Sequence, residues 1–118
     1  MAIIQQIHPV IMSSDVSKTI HFLTVLGFEV TFRDNPDDTT YAGVSRDSVE
    51  VHIQWNDLSN LPTGTDRPTL RFLVDDVDEL ANELTNSEMH GIEPFTTAWG
   101  TYEFHLQDHD HNGYQFYK

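Results

Sequence analysis

The chain has 118 residues, no cysteine and a formal net charge of −13, with 6 basic and 19 acidic side chains and histidine counted neutral. Such a polyanion repels phosphate backbones and anionic lipid, which argues against nucleic acid and membrane as partners; without cysteine there is no disulfide framework, thiol chemistry or zinc–thiolate site. A hydrophobic fraction of 38% argues for one folded domain rather than disorder, and the lack of an apolar run of ~18 residues or of an export leader points to the cytoplasm.

Residues Ile3 to Met12 form a β-branched, apolar stretch interrupted by His8-Pro9, and the missing N–H of Pro9 places this strand at a sheet edge or ends a ladder there. Ser14 or Asp15 offers a helix N-cap. Val16, Ile20, Leu23 and Leu26 follow at helical spacing until Gly27 stops the helix. Phe28 to Phe32 alternates as a strand, Asn35-Pro36-Asp37-Asp38 turns, and Thr40 to Val44 and Ser48 to Trp55 read as two more strands. Asn56 to Arg67, with Leu61-Pro62-Thr63-Gly64, connects to a strand over Thr69 to Val74. Asp76 caps a second helix carrying Val77, Leu80, Ala81 and Leu84, which Gly91 is expected to end. Strands over Ile92 to Thr97, Tyr102 to Gln107 and Tyr114 to Tyr117 complete the chain.

The order repeats. Residues 1–56 and 68–118 each read as βαβββ, joined by 57–67, and both copies pass from an aspartate cap through a helix to Gly-Phe-Glu or Gly-Ile-Glu. The expected fold is therefore α+β: two tandem modules forming a curved, mostly antiparallel sheet cleft with helices outside. Half a chain is too small to bury a core alone, and pairing the modules leaves a concave polar face open to a ligand.

Strand parity says what lines that face. Val49, Val51, Ile53 and Trp55 take the helix side of their strand, leaving Glu50, His52 and Gln54 opposite. Tyr102, Phe104 and Leu106 likewise leave Glu103, His105 and Gln107, while Tyr114 and Phe116 leave Gln115 and Tyr117. His8 shares parity with Val10 and Met12. Alternation of this kind is also ordinary antiparallel patterning. His109 and His111 fall in Asp108 to Asn112, read as an exposed hairpin turn that solvates them.

The run His8-Pro9-Val10-Ile11-Met12-Ser13-Ser14-Asp15, the helix Thr19 to Leu26, and Gly27-Phe28-Glu29-Val30 resemble the opening of the vicinal oxygen chelate superfamily, which includes glyoxalase I, extradiol dioxygenases and bleomycin-resistance proteins. The likeness continues through Tyr41 to Asp47, Leu73 to Leu80, Ala98-Trp99-Gly100, Glu103-Phe104, Asp108 to Asn112 and Phe116-Tyr117. The superfamily's metalloenzymes draw ligands from the first, fourth, fifth and eighth strands. The resemblance carries these to His8, to His52 (Glu50 if the register slips by two), to Thr69 and to Gln115. An alcohol and a neutral amide beside two good ligands make a poor divalent site. No family-type metal centre or other cofactor is expected.

The bleomycin-resistance branch is the nearer likeness, in length, acidity, Tyr41-Ala42-Gly43-Val44, and Trp99-Gly100 followed by Glu103-Phe104. It implies non-catalytic capture of a cationic, planar molecule in a homodimer groove, with Tyr41 and Trp99 sandwiching its rings for ~0.5–1.5 kcal/mol per aromatic pair beyond area burial. Glu50 and Glu103 would draw in a positive tail. The expected ligand-binding set is Tyr41, Glu50, His52, Trp99, Glu103, His105 and Gln115, with no catalytic residue. Two departures stand out: one extra residue between Trp99 and Glu103, expected to shift Trp99 or to make a bulge, and His109 and His111 in place of the turn's usual proline and glycine. The alternative is a metal-dependent lyase, isomerase or dioxygenase in which His8, His52 and His105, with Glu50 or Glu103, hold a divalent ion.

Overall fold

The computed structural model describes residues 1–61 and 67–118; the Pro62-Thr63-Gly64 part of the connecting segment lies outside the described residues. Ten elements follow in chain order: β1 (Val10–Ser13), α1 (Val16–Val25), β2 (Glu29–Arg33), β3 (Tyr41–Arg46), β4 (Val49–Trp55), β5 (Thr69–Leu73), α2 (Val77–Thr85), β6 (Phe95–Thr96), β7 (Tyr102–Gln107) and β8 (Gly113–Tyr117). They divide into two compact units, residues 1–58 and 59–118. Each unit is the expected βαβββ, and each sheet mixes one parallel pair with two antiparallel pairs, in the orders β1-β4-β3-β2 and β5-β8-β7-β6. No helix among the described residues is long and apolar enough to cross a membrane.

In the first unit Asp15, not Ser14, caps α1, its carboxylate accepting from the Lys18 N–H at 3.2 Å. Val16, Ile20, Leu23 and Leu26 are buried against Ile11, Ala42, Val44, Val51 and Ile53 from the sheet. Gly27, at φ +88°, takes the left-handed turn that ends the helix. The strand expected from Ile3 begins only at Val10. The ladder to β4 runs from Val10↔His52 to Ser13↔Trp55, and the last bond before it is His52 N–H to the Pro9 carbonyl at 2.9 Å. Pro9 has no N–H to extend the pairing, so Ile3, Ile4 and Ile7 stand exposed. The apolar row of β4 is buried only at its centre: Val51 and Ile53 are inaccessible, whereas Val49 and Trp55, at the strand's two ends, are exposed. Trp55 is therefore not a core residue, contrary to its parity.

In the second unit Asp76 caps α2, accepting from the Glu79 N–H at 3.0 Å, and Val77, Leu80, Ala81 and Leu84 are buried. The helix ends at Thr85 rather than at Gly91. Ser87 closes it, its N–H and hydroxyl both donating to the Leu84 carbonyl, after which no apolar residue continues the buried stripe. Strand β6 shrinks to two residues, paired as Phe95↔Glu103 and Thr96↔Tyr102, because Pro94 cannot donate to the ladder. Tyr102 donates to Asp78 at 2.7 Å and ties β7 to α2.

The Asp108 to Asn112 turn is not the solvated loop its composition predicts. Asp108, Asp110 and Asn112 are buried. The Asp108 carboxylate accepts from the backbone N–H of Asp110 and Asn112, from Asn112 Nδ2 and from the Tyr114 hydroxyl, at 2.7–3.0 Å. Burial, reinforced by Asp108, pushes the Tyr114 phenol well above its usual range. Four hydrogen bonds satisfy this carboxylate and its donors, which burial would otherwise strand.

Candidate functional site

Strand β4 lies between β1 and β3, and alternation turns Glu50 and His52 to the face opposite α1. The His52 ring is the hub of that face. Its Nε2 lies 3.0 Å from Glu50 Oε2, and its Nδ1 lies 2.9 Å from the Tyr41 hydroxyl. His8 stacks on it, centroid to centroid 4.8 Å at 22°, and its own Nε2 is 3.5 Å from Glu50 Oε2. Phe32 meets His52 edge-on at 5.2 Å and stacks on Tyr41 at 5.9 Å. The hydrogen bond from His52, with smaller help from Thr31 and His8, holds the Glu50 carboxyl below the usual range.

Phe32 is absent from the parity prediction, and Gly43 is its signal. The pairing of β2 with β3 shifts register between Val30 and Phe32, and a Cβ on Gly43 would collide with the Phe32 ring and the Thr31 hydroxyl. Glycine here permits a close approach of a ring to the backbone. His8, Tyr41, Glu50 and His52 thus come together on one sheet face, with Phe32 added.

The remaining predicted residues lie in the second unit. Glu103 is 1% exposed, and its carboxylate is fully engaged. Arg71 binds both oxygens, Nη2 to Oε2 at 2.7 Å and Nη1 to Oε1 at 3.2 Å. His105 Nε2 reaches Oε1 at 2.7 Å, and the Thr101 hydroxyl donates to Oε2 at 2.8 Å. Arg71, with His105 and Thr101, lowers Glu103 to about 2. The same guanidinium donates to Gln115 Oε1 at 2.7 Å and lies 4.0 Å over the Tyr117 ring. Arg71 escaped the sequence reading because its partner is 32 residues away, on a strand it does not adjoin. His105 is exposed, with the Phe95 ring edge-on at 5.1 Å. Trp99, 73% exposed, sits on the turn closed by Thr97 and Thr101, where Gly100 adopts φ +97°.

A family model described as the glyoxalase/bleomycin resistance protein/dioxygenase superfamily matches residues 5–116. The chain belongs to that superfamily. No curated protein matches it. Among solved structures it is similar to a bleomycin-binding protein complexed with bleomycin, at 20% identity over 98% of both chains and a TM-score of 0.78. It is similar also to a bleomycin resistance determinant encoded on the transposon Tn5, with 20% identity, 98% of both chains and a TM-score of 0.77. A glyoxalase-related enzyme from Clostridium phytofermentans aligns at 18% identity over 98% of this chain and 95% of its own, TM-score 0.73. At these identities the likeness establishes the fold.

The superfamily fold allows a test of the four-strand metal set. Gln115, at the eighth-strand position, has its amide oxygen on a guanidinium, and Thr69 offers an alcohol at the fifth. A cation bound at that amide would face the Arg71 charge, so the second unit's half of the set does not fit. In the first unit the donors are of the right kind. One ligand atom each from His8, Glu50 and His52 lie within 4.8 Å of one another.

Proposed function

We propose that the protein captures a cationic, planar small molecule and holds it chemically unchanged, acting as a homodimer. The observation that carries this reading is Trp99: a large aromatic side chain, 73% exposed on a well-formed turn, with no ring or hydrogen-bond contact among the described residues. Single exposed apolar residues are common, but an indole held open costs solvation that ligand stacking recovers. The paired Phe32 and Tyr41 rings supply a second aromatic surface, with the partly exposed Glu50 carboxylate beside them. A net charge of −13 attracts a cation over long range and speeds its encounter. The likeness to a bleomycin-binding protein supports bleomycin as the first probe.

Titration with bleomycin in the presence of a chelator, followed by tryptophan emission in a Trp55→Phe background, is expected to give saturable quenching and recovery of unaltered drug. Trp99→Ala, in which no tryptophan then remains and binding is read by calorimetry, and Tyr41→Ala should each weaken binding, by about tenfold if each stacking contact contributes ~1 kcal/mol or slightly more. A response unchanged in both variants, or a chemically modified product, would remove the basis for this reading.

A further inference from the structure

The turn that carries Trp99 is joined to three strands of its own sheet by a line of polar side chains. Residues 97–101 close on themselves: the Thr97 N–H donates to the Thr101 carbonyl at 2.8 Å, the Gly100 N–H to the Thr97 carbonyl at 3.1 Å, and the Thr101 N–H to Thr97 Oγ1 at 3.1 Å. The Thr101 hydroxyl in turn donates to Glu103 Oε2 at 2.8 Å. An ionised carboxylate only accepts, so Glu103 takes the single Thr101 proton. The Thr97 hydroxyl is left to donate toward Thr101, whose hydroxyl and carbonyl oxygens lie 2.8 and 3.3 Å away. The order of donors is thus fixed from the carboxylate outward, and each bond polarises the next. Arg71, on β5, holds the other end with both Glu103 oxygens and with Gln115 on β8. The line runs from β5 across β8 to β7 and into the turn.

We propose that Thr101 is a positioning residue: bonded to the Glu103 carboxylate, it locks the turn and so presents the Trp99 indole to a planar guest. The presenting role rests on the reading of Trp99 as a capture surface; the lock itself does not. The indole is 73% exposed, so the backbone of the turn, rather than packing around the ring, is what places it. Gly100, at φ +97°, has nothing within 4 Å of where a Cβ would stand, so no packing at that position braces the turn either. A loose turn would have to be ordered on binding, and that ordering subtracts from affinity. The anchor lies where it is strongest: Glu103 is 1% exposed, and a hydrogen bond to a buried charge is less weakened by water. Arg71, with His105, keeps that charge in place, since Glu103 titrates at about 2 and remains an acceptor through the neutral and mildly acid range.

Backbone amide order parameters of the full-length protein measure the lock without any ligand. Trp99, Gly100 and Thr101 should give about 0.85, as rigid backbone does, and fall toward about 0.6 in Thr101→Val, which keeps the side-chain shape and loses the hydroxyl. Thr101→Ser should restore the parent values. Amides of β7 and β8 away from the turn should match the parent in both variants, which separates a loosened turn from a weakened sheet. Bleomycin affinity, read by calorimetry in chelator, should drop about fivefold in Thr101→Val, the scale of ordering one side chain on binding, and return in Thr101→Ser. Low order parameters at the three residues of the unmutated protein would overturn the lock even if Thr101→Val fails to fold. So would a folded Thr101→Val as rigid as the parent, and a looser variant that binds bleomycin unchanged would overturn the presenting role. If the parent binds no bleomycin, the capture reading falls and the presenting role with it, while the order parameters decide separately whether Thr101 locks the turn.

Discussion

Two glutamates of the same strand pattern differ only in what meets them. Glu103 titrates at about 2 in the fold against 4.5 for an ordinary glutamate, chiefly because Arg71 binds its charged form. A carboxyl whose folded value is depressed stabilises the fold fully above its unfolded value, and that contribution fades as pH falls toward the folded one. The stability tied to Glu103 is therefore complete above about pH 4.5 and lost by about pH 2. Thermal midpoints measured from pH 7 to pH 2 should show Glu103→Gln below the parent at neutral pH, with the gap closing through that window. Parallel curves would mean that the Arg71 pair contributes nothing to folding. Glu50 carries no such pair, which leaves it the charge available to a cation.

At the scale of elements, alternation and helical spacing were sufficient for both βαβββ units, both aspartate caps and the placing of Glu50 with His52. These depend on one face of a strand or helix being covered. Contacts that depend on irregularity were not legible: the register shift before Phe32, the Arg71–Glu103 pair between non-adjacent strands, and the buried Asp108 turn that satisfies Tyr114. Pro9 and Pro94 were legible as residues, but not how many strand positions each would remove. Of the first unit's cluster, parity indicated His8, Glu50 and His52, and the family resemblance Tyr41, without revealing that one imidazole joins all of them. Gly43 now tests that cluster. Its missing Cβ is what admits Phe32, so Gly43→Ala should displace the ring and cost about 1–3 kcal/mol, as overpacking does. Urea denaturation measures the cost, and Phe32 ring signals that no longer report contact with Tyr41 and His52 identify its origin. An unchanged midpoint with unchanged ring contacts would show that β2 yields at no cost.

Over the whole molecule, two long-range properties oppose each other. A net charge of −13 resists self-association, while Ile3, Ile4 and Ile7, 82–95% exposed on a segment without strand partners, favour it. Clustered apolar side chains left in water are an interaction surface more often than a resting state. Screening decides which property prevails, because the repulsion acts between exposed charges across solvent and weakens once the Debye length falls to about 8 Å at 0.15 M salt. Burial of the isoleucines has no such dependence. Sedimentation velocity should therefore find monomer at about 0.01 M salt, where the screening length is about 30 Å, and dimer at about 0.15 M. The variant Ile3→Asp/Ile4→Asp/Ile7→Asp should remain monomeric at both, with unaltered circular dichroism because none of the three contributes to either sheet. If that variant dimerises as the parent does, the contact lies elsewhere on the surface. If the parent stays monomeric at both salts, the homodimer is withdrawn, and capture by a single chain is what the bleomycin titration then measures.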